Sequence, residues 1–127
     1  MPPLPGATSG IAEDEPCEEQ HIHPYAKMNL VGDAFHNLLD GALIAGAFAG
    51  GGIELGITVA VSVAMHEIPQ EIGDFAVLVH AGYPPRKALF LNLGTALTSF
   101  IGAGAVLAFG GIHEFMVPFT AGAFVYI

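Results

Sequence analysis

From Met28 to Ile127 the chain is almost unbroken apolar sequence, yet Asp, Glu, His and Asn interrupt it at helical spacing. The apolar run divides at Gly50-Gly51-Gly52, at Tyr83-Pro84-Pro85 and at Gly110-Gly111, all strong turn signals. A helix that crosses a bilayer needs about 20 residues at 1.5 Å each. The pieces from Met28 to Gly50, Ile53 to Gly82 and Lys87 to Phe109 reach that length, and a fourth begins near Phe115 and is cut short at Ile127. The expected fold is therefore all-α: a polytopic transmembrane helix bundle of three complete spans plus a truncated fourth. Composition agrees. Only 12% of residues are charged, against about 25% in soluble domains, and mean hydropathy is +0.60.

Residues 1–26 differ in kind, being polar and rich in Pro and Glu, and read as a flexible acidic loop or tail preceding a transmembrane domain over 27–127. The opening MPPLPGATSG has neither the basic region nor the apolar core of a signal peptide. The single cysteine excludes a disulfide framework. A net charge of −9 with three cations excludes nucleic acid as a partner, since phosphate contacts need a basic surface. Those cations are Lys27 before the first span and Arg86 and Lys87 between the second and third. The positive-inside rule then puts the tail in the cytoplasm. Which membrane hosts the chain is not encoded in these features.

The chemistry lies in the first two spans. Asp33, His36, Asn37 and Asp40 recur at intervals of three, four and seven, so they share a helix face. His66, Glu67, Gln70, Glu71 and Asp74 do the same on the second span. An ionised carboxylate at the bilayer centre costs about 2.5–3.5 kcal/mol on insertion scales. No Lys or Arg lies inside a span to offset it. A bound cation, protonation or a water-filled path must do so. Imidazole, carboxylate and amide oxygen together suit Zn²⁺, and also Fe²⁺, Mn²⁺ or Cd²⁺. Pro69, inside the second polar stretch, is expected to kink its helix.

His36-Asn37-Leu38-Leu39-Asp40-Gly41 resembles the HNxxDG motif of the ZIP (Zrt/Irt-like) divalent metal transporters, and His66-Glu67-Ile68-Pro69-Gln70-Glu71-Ile72-Gly73-Asp74-Phe75 resembles that family's HEIPxExGDF motif. The resemblance runs from about Leu30 to the segment Pro118–Gly122. It implies an eight-helix fold of which this chain supplies the fourth to seventh helices. It further implies a binuclear site of His36, Asn37 and Asp40 on one helix and His66, Glu67, Gln70 and Glu71 on the next. Asp33, Asp74 and His80 would be pathway residues. Transport of zinc toward the cytoplasm follows as the expected activity, with the lipid bilayer and either the missing helices or further copies of the chain as partners.

Two departures from the family pattern stand out. Gln70 replaces a histidine frequent in the eukaryotic branch, and the third span lacks a carboxylate that some members place near the second metal. Competing readings are an intramembrane zinc protease, since His66-Glu67-Ile68-Pro69-Gln70 is one residue short of HExxH, and a fragment inactive by itself. Single polar groups in a membrane helix also serve as interhelical glue. That reading suits His80, at the span end, better than it suits nine polar groups clustered on two helices. Cys17, Glu18, Glu19, His21 and His23 have the composition of a weak metal-collecting loop or of an ordinary acidic tail, and His113 and Glu114 read as a solvated turn. Gly94, Gly102 and Gly104 in the third span read as close-packing positions.

Overall fold

The computed structural model describes residues 22–110 together with 114, 115, 118, 119 and 122. Among the described residues there is no strand. Helix α1 covers Tyr25–His80, α2 Pro85–Ala96 and α3 Thr98–Ala108. Most of the tail and of the fourth apolar piece lies outside the described residues, including Cys17, Glu18, Glu19, His21 and His113.

Helix α1 is in fact a hairpin. Gly52 has φ 73° and ψ −169°, the one non-helical conformation within it, in a region that only glycine occupies readily. The cluster Gly50-Gly51-Gly52 thus ends the first span where the sequence predicts. The partners across the two arms are centred within one residue of Gly52: Asn29 bonds Asp74, His66 bonds Asp40, and Phe48 lies against Gly56. Each arm, 25–51 and 53–80, is about 40 Å long at 1.5 Å per residue, more than the roughly 30 Å of a bilayer's hydrocarbon core. Tyr25–His80 and the run Pro85–Ala108 are both long and apolar enough to cross a membrane. Changing Gly52 to Ala is expected to cost about 1–3 kcal/mol, the price of a side chain in this backbone region, visible as a lower unfolding midpoint in detergent micelles.

The second arm runs through Pro69 with helical backbone dihedrals. Proline there leaves the Met65 carbonyl without its usual N–H donor, the physical cause of the expected kink. The third span, by contrast, is interrupted at Leu97, between α2 and α3. Its hydroxyls explain why. Thr95 Oγ1 donates to the Asn92 carbonyl at 2.6 Å, Thr98 Oγ1 to the Thr95 and Ala34 carbonyls at 2.7 Å, and Ser99 Oγ to the Ala96 carbonyl at 2.7 Å. Side-chain donors therefore compete for the carbonyls that the regular ladder would use.

The helices pack on small residues. A Cβ on Gly41 would fall 1.8 Å from the Ser99 carbonyl oxygen, and one on Gly102 1.9 Å from that of Leu38. The first arm and α3 therefore cross backbone against backbone, the contact that glycine permits in membrane bundles. Gly94 and Gly104 have nothing within 4 Å of such a Cβ. Among the described residues, Gly102 is the one of the three expected glycines that meets a neighbouring helix. Two apolar plugs close the ends of the bundle. Ala26, Leu78, Ala81, Tyr83 and Ala88 form one, and Ala42, Ala45 and Val106 the other. Between them is a polar layer, and outside lies a surface of exposed large apolar residues such as Phe35, Ile57, Met65, Ile72, Phe90 and Phe100.

Candidate metal centre

The antiparallel hairpin brings the two polar stripes face to face. Asp40 is 2% exposed, and its Oδ2 lies 3.6 Å from His36 Nε2 and 3.0 Å from His66 Nε2. Glu67 Oε1 lies 3.5 Å from His36 Nε2 and 3.9 Å from His66 Nε2. One potential ligand atom from each of His36, Asp40, His66 and Glu67 falls within 4.8 Å of the others. The two imidazoles meet edge to face, 5.6 Å between centroids.

The orientation of His66 is informative. Its Nδ1 is 3.1 Å from the Ser62 carbonyl, an acceptor only, so Nδ1 carries the proton in that bond. In a neutral ring Nε2 then presents its lone pair, and it does so toward the Asp40 carboxylate at 3.0 Å. Two acceptors at that distance need positive charge between them, supplied by a proton or a metal ion. A carbonyl bond to the far nitrogen is also the usual way a metal-binding histidine is held.

The remaining predicted residues surround this cluster. Asn37 is buried and donates from Nδ2 to the Asp33 carbonyl at 3.2 Å and to Asp33 Oδ1 at 2.9 Å. Glu71 faces the third span, where Asn92 Nδ2 donates to both its carbonyl and its carboxylate. Gln70 lines a neighbouring cavity with Asp33 and Asp74, and Asp74 accepts from Asn29 Nδ2 at 3.0 Å. His80 is exposed at the end of the second arm, beside Tyr25, Ala76 and Val77. His23 stacks on Tyr25, and Glu114 is exposed in a helical segment.

Buried oxygens without a hydrogen-bond partner gather in this layer: Asp33 Oδ2, Asp40 Oδ1, Glu67 Oε1, Glu71 Oε1 and Asn92 Oδ1. All are acceptors. Among the described residues every ion pair involves His36 or His66, and none involves a Lys or Arg. A cation answers both deficits at once, and the mixed imidazole and carboxylate donors fit a divalent transition metal.

Asn92 was not among the residues the sequence singles out. It is a lone amide in the apolar stretch Leu91-Asn92-Leu93, and only its polarity within a span marks it. It is 4% exposed and ties α2 to the second arm through Glu71. Changing Asn92 to Leu leaves the Glu71 carboxylate without this donor. About 1.5–3 kcal/mol of stability should go with it, the usual worth of a hydrogen bond to a charged group. Chemical unfolding in micelles would read this directly.

The ZIP zinc transporter family model matches residues 6–127. The chain is 39% identical over 118 residues to the zinc transporter zipt-7.2 of Caenorhabditis elegans, covering 87% of this chain and 25% of that protein. It is 36% identical over 140 residues to the human zinc transporter ZIP4, covering 99% and 21%. To the Drosophila melanogaster zinc transporter foi it is 41% identical over 105 residues, covering 80% and 15%. The chain thus spans a quarter or less of the length of these relatives. No solved structure gives a significant match. With the family model matching nearly the whole sequence, and both motifs folded into one His and carboxylate cluster, the chain belongs to the ZIP zinc transporter family.

Proposed function

We propose that this chain forms the metal-binding part of a carrier that moves divalent transition metals, zinc first among them, across a membrane toward the cytoplasm. The observation that carries this reading is the convergence of His66 Nε2 on the Asp40 carboxylate at 3.0 Å, with His36 and Glu67 completing a four-ligand cluster. The cluster supplies nitrogen and oxygen only. Such a set binds zinc selectively and releases it more readily than a closed thiolate site. Fe²⁺, Mn²⁺ and Cd²⁺ suit the same donors. Asn37 and Glu71 are assigned to the periphery of this site, with the buried Glu71 Oε1 open to a second ion, and Gln70 to the adjoining cavity of Asp33 and Asp74.

The orientation in the membrane rests on charge, and flow toward the cytoplasm on the family resemblance. Lys27 opens α1, and Arg86 and Lys87 lie at the start of α2. Ala26 and Ala88 share one apolar plug, so these cations gather at one end of the bundle. Positive residues favour the cytoplasmic side, which puts the N-terminal tail there. The exposed apolar exterior suits lipid, further helices of the same bundle, or a second copy of the chain. A protease reading is disfavoured by the geometry. Gln70 lines the cavity of Asp33 and Asp74, and Glu67 shares one cluster with His36, Asp40 and His66.

The test is calorimetric titration of Zn²⁺ into the chain in lipid nanodiscs, beside uptake of radioactive zinc by vesicles carrying it. Stoichiometric binding lost in His66→Ala supports the site. Equal binding in both proteins, or peptide cleavage without zinc flux, overturns the reading.

A further inference from the structure

Seven residues toward the N-terminus from Asp40, and seven toward the C-terminus from Glu67, each arm carries another aspartate: Asp33 and Asp74. The arms are antiparallel, so both displacements point the same way, about 10 Å along the bundle at 1.5 Å per residue. There the two aspartates line a cavity of about 340 Å³ together with Asn29, Gly32, His36 and Gln70.

Asp33 is 5% exposed, and its Oδ2 is buried without a hydrogen-bond partner. Its other oxygen is taken by Asn37 Nδ2 at 2.9 Å. Asp74 is held from across the hairpin by Asn29 Nδ2 at 3.0 Å. None of the ion pairs among the described residues brings Lys27, Arg86 or Lys87 to either aspartate. Gly32 has open space where a Cβ would stand.

From this we infer a second cation station, distinct from the histidine cluster, in which Asp33 and Asp74 bind a divalent ion through oxygen alone, with the Gln70 amide oxygen as a further donor. The inference rests on the carrier reading above and deepens it. The station lies on the Lys27 and Arg86 side of the histidine cluster, the side assigned to the cytoplasm. An oxygen-only set favours harder ions such as Mn²⁺ over the imidazole-bound state of zinc. A zinc ion stepping from the first station to the second therefore exchanges nitrogen for oxygen and is held less tightly, which promotes release. His36 lines both spaces and connects them.

The experiment counts Mn²⁺ bound to the full chain in nanodiscs by electron paramagnetic resonance, before and after substitution. Wild type should hold one ion lost in Asp33→Asn/Asp74→Asn and another lost in His66→Ala/Glu67→Gln. The aspartate variant should keep its zinc affinity at the histidine cluster within about threefold, while its Mn²⁺ count falls by one. Full Mn²⁺ occupancy in Asp33→Asn/Asp74→Asn overturns the second station. Loss of the aspartate-dependent ion only, with no ion sensitive to His66, instead sinks the histidine centre and leaves the second station standing. Should the double variant lose helicity by circular dichroism, Gln70→Ala decides the matter. It removes no charge and should weaken Mn²⁺ binding several-fold, and unchanged binding there counts against the station.

Discussion

Asp40→Ala should lower zinc affinity by about 100-fold or more, since even outer-shell partners of a metal ligand are worth 10–100-fold. Asp40 is the carboxylate both imidazoles share, 3.6 Å from His36 and 3.0 Å from His66, and it is almost completely enclosed. Glu67 approaches the same nitrogens less closely, at 3.5 Å from His36 and 3.9 Å from His66. The loss is measurable as stability as well as affinity. A ligand at 100 times its dissociation constant stabilises the folded state by about 2.7 kcal/mol, and a 100-fold weaker site retains only about 0.4 kcal/mol at the same concentration. Thermal unfolding with and without zinc would show the wild-type shift nearly vanish. An undiminished shift in Asp40→Ala would mean that zinc binds elsewhere.

Gly102→Leu is expected to be the most damaging change outside the polar layer. The Cβ alone would approach the Leu38 carbonyl oxygen to 1.9 Å, and that oxygen belongs to a helix backbone that cannot turn aside. Overpacking a core commonly costs about 1–3 kcal/mol. Here two helices must separate, so the upper end of that range or more applies. Gly94→Leu is the matched control, with open space at its Cβ position, and should leave stability within about 1 kcal/mol of wild type or raise it through helix propensity. Comparing unfolding midpoints of the two variants separates packing from propensity, and equal losses would refute the crossing described above.

The helical architecture and the facing stripes were legible because spans, turns and polar periodicity are local signals. Gly50-Gly51-Gly52 marked the reversal, and once the chain folds back there, residues symmetric about Gly52 must meet. What escaped depends on three-dimensional neighbours. Asn92 gains its importance only when α2 lies beside Glu71. Thr95, Thr98 and Ser99 interrupt the third span through bonds to carbonyls, a competition that apolar length does not reveal. Gly94, Gly102 and Gly104 look alike in sequence, but only Gly102 faces a backbone. Pro69 sits within the second arm without taking it out of helical dihedrals.

The close crossing at Gly41 and Ser99 lies one residue from Asp40. It divides the ligand set mechanically. His36 and Asp40 ride on an arm packed main chain against main chain on α3, whereas His66 and Glu67 ride on an arm held to its neighbours by the side-chain bonds Asn29 to Asp74 and Asn92 to Glu71. Loosening those side-chain bonds is therefore expected to displace His66 and Glu67 before His36 and Asp40.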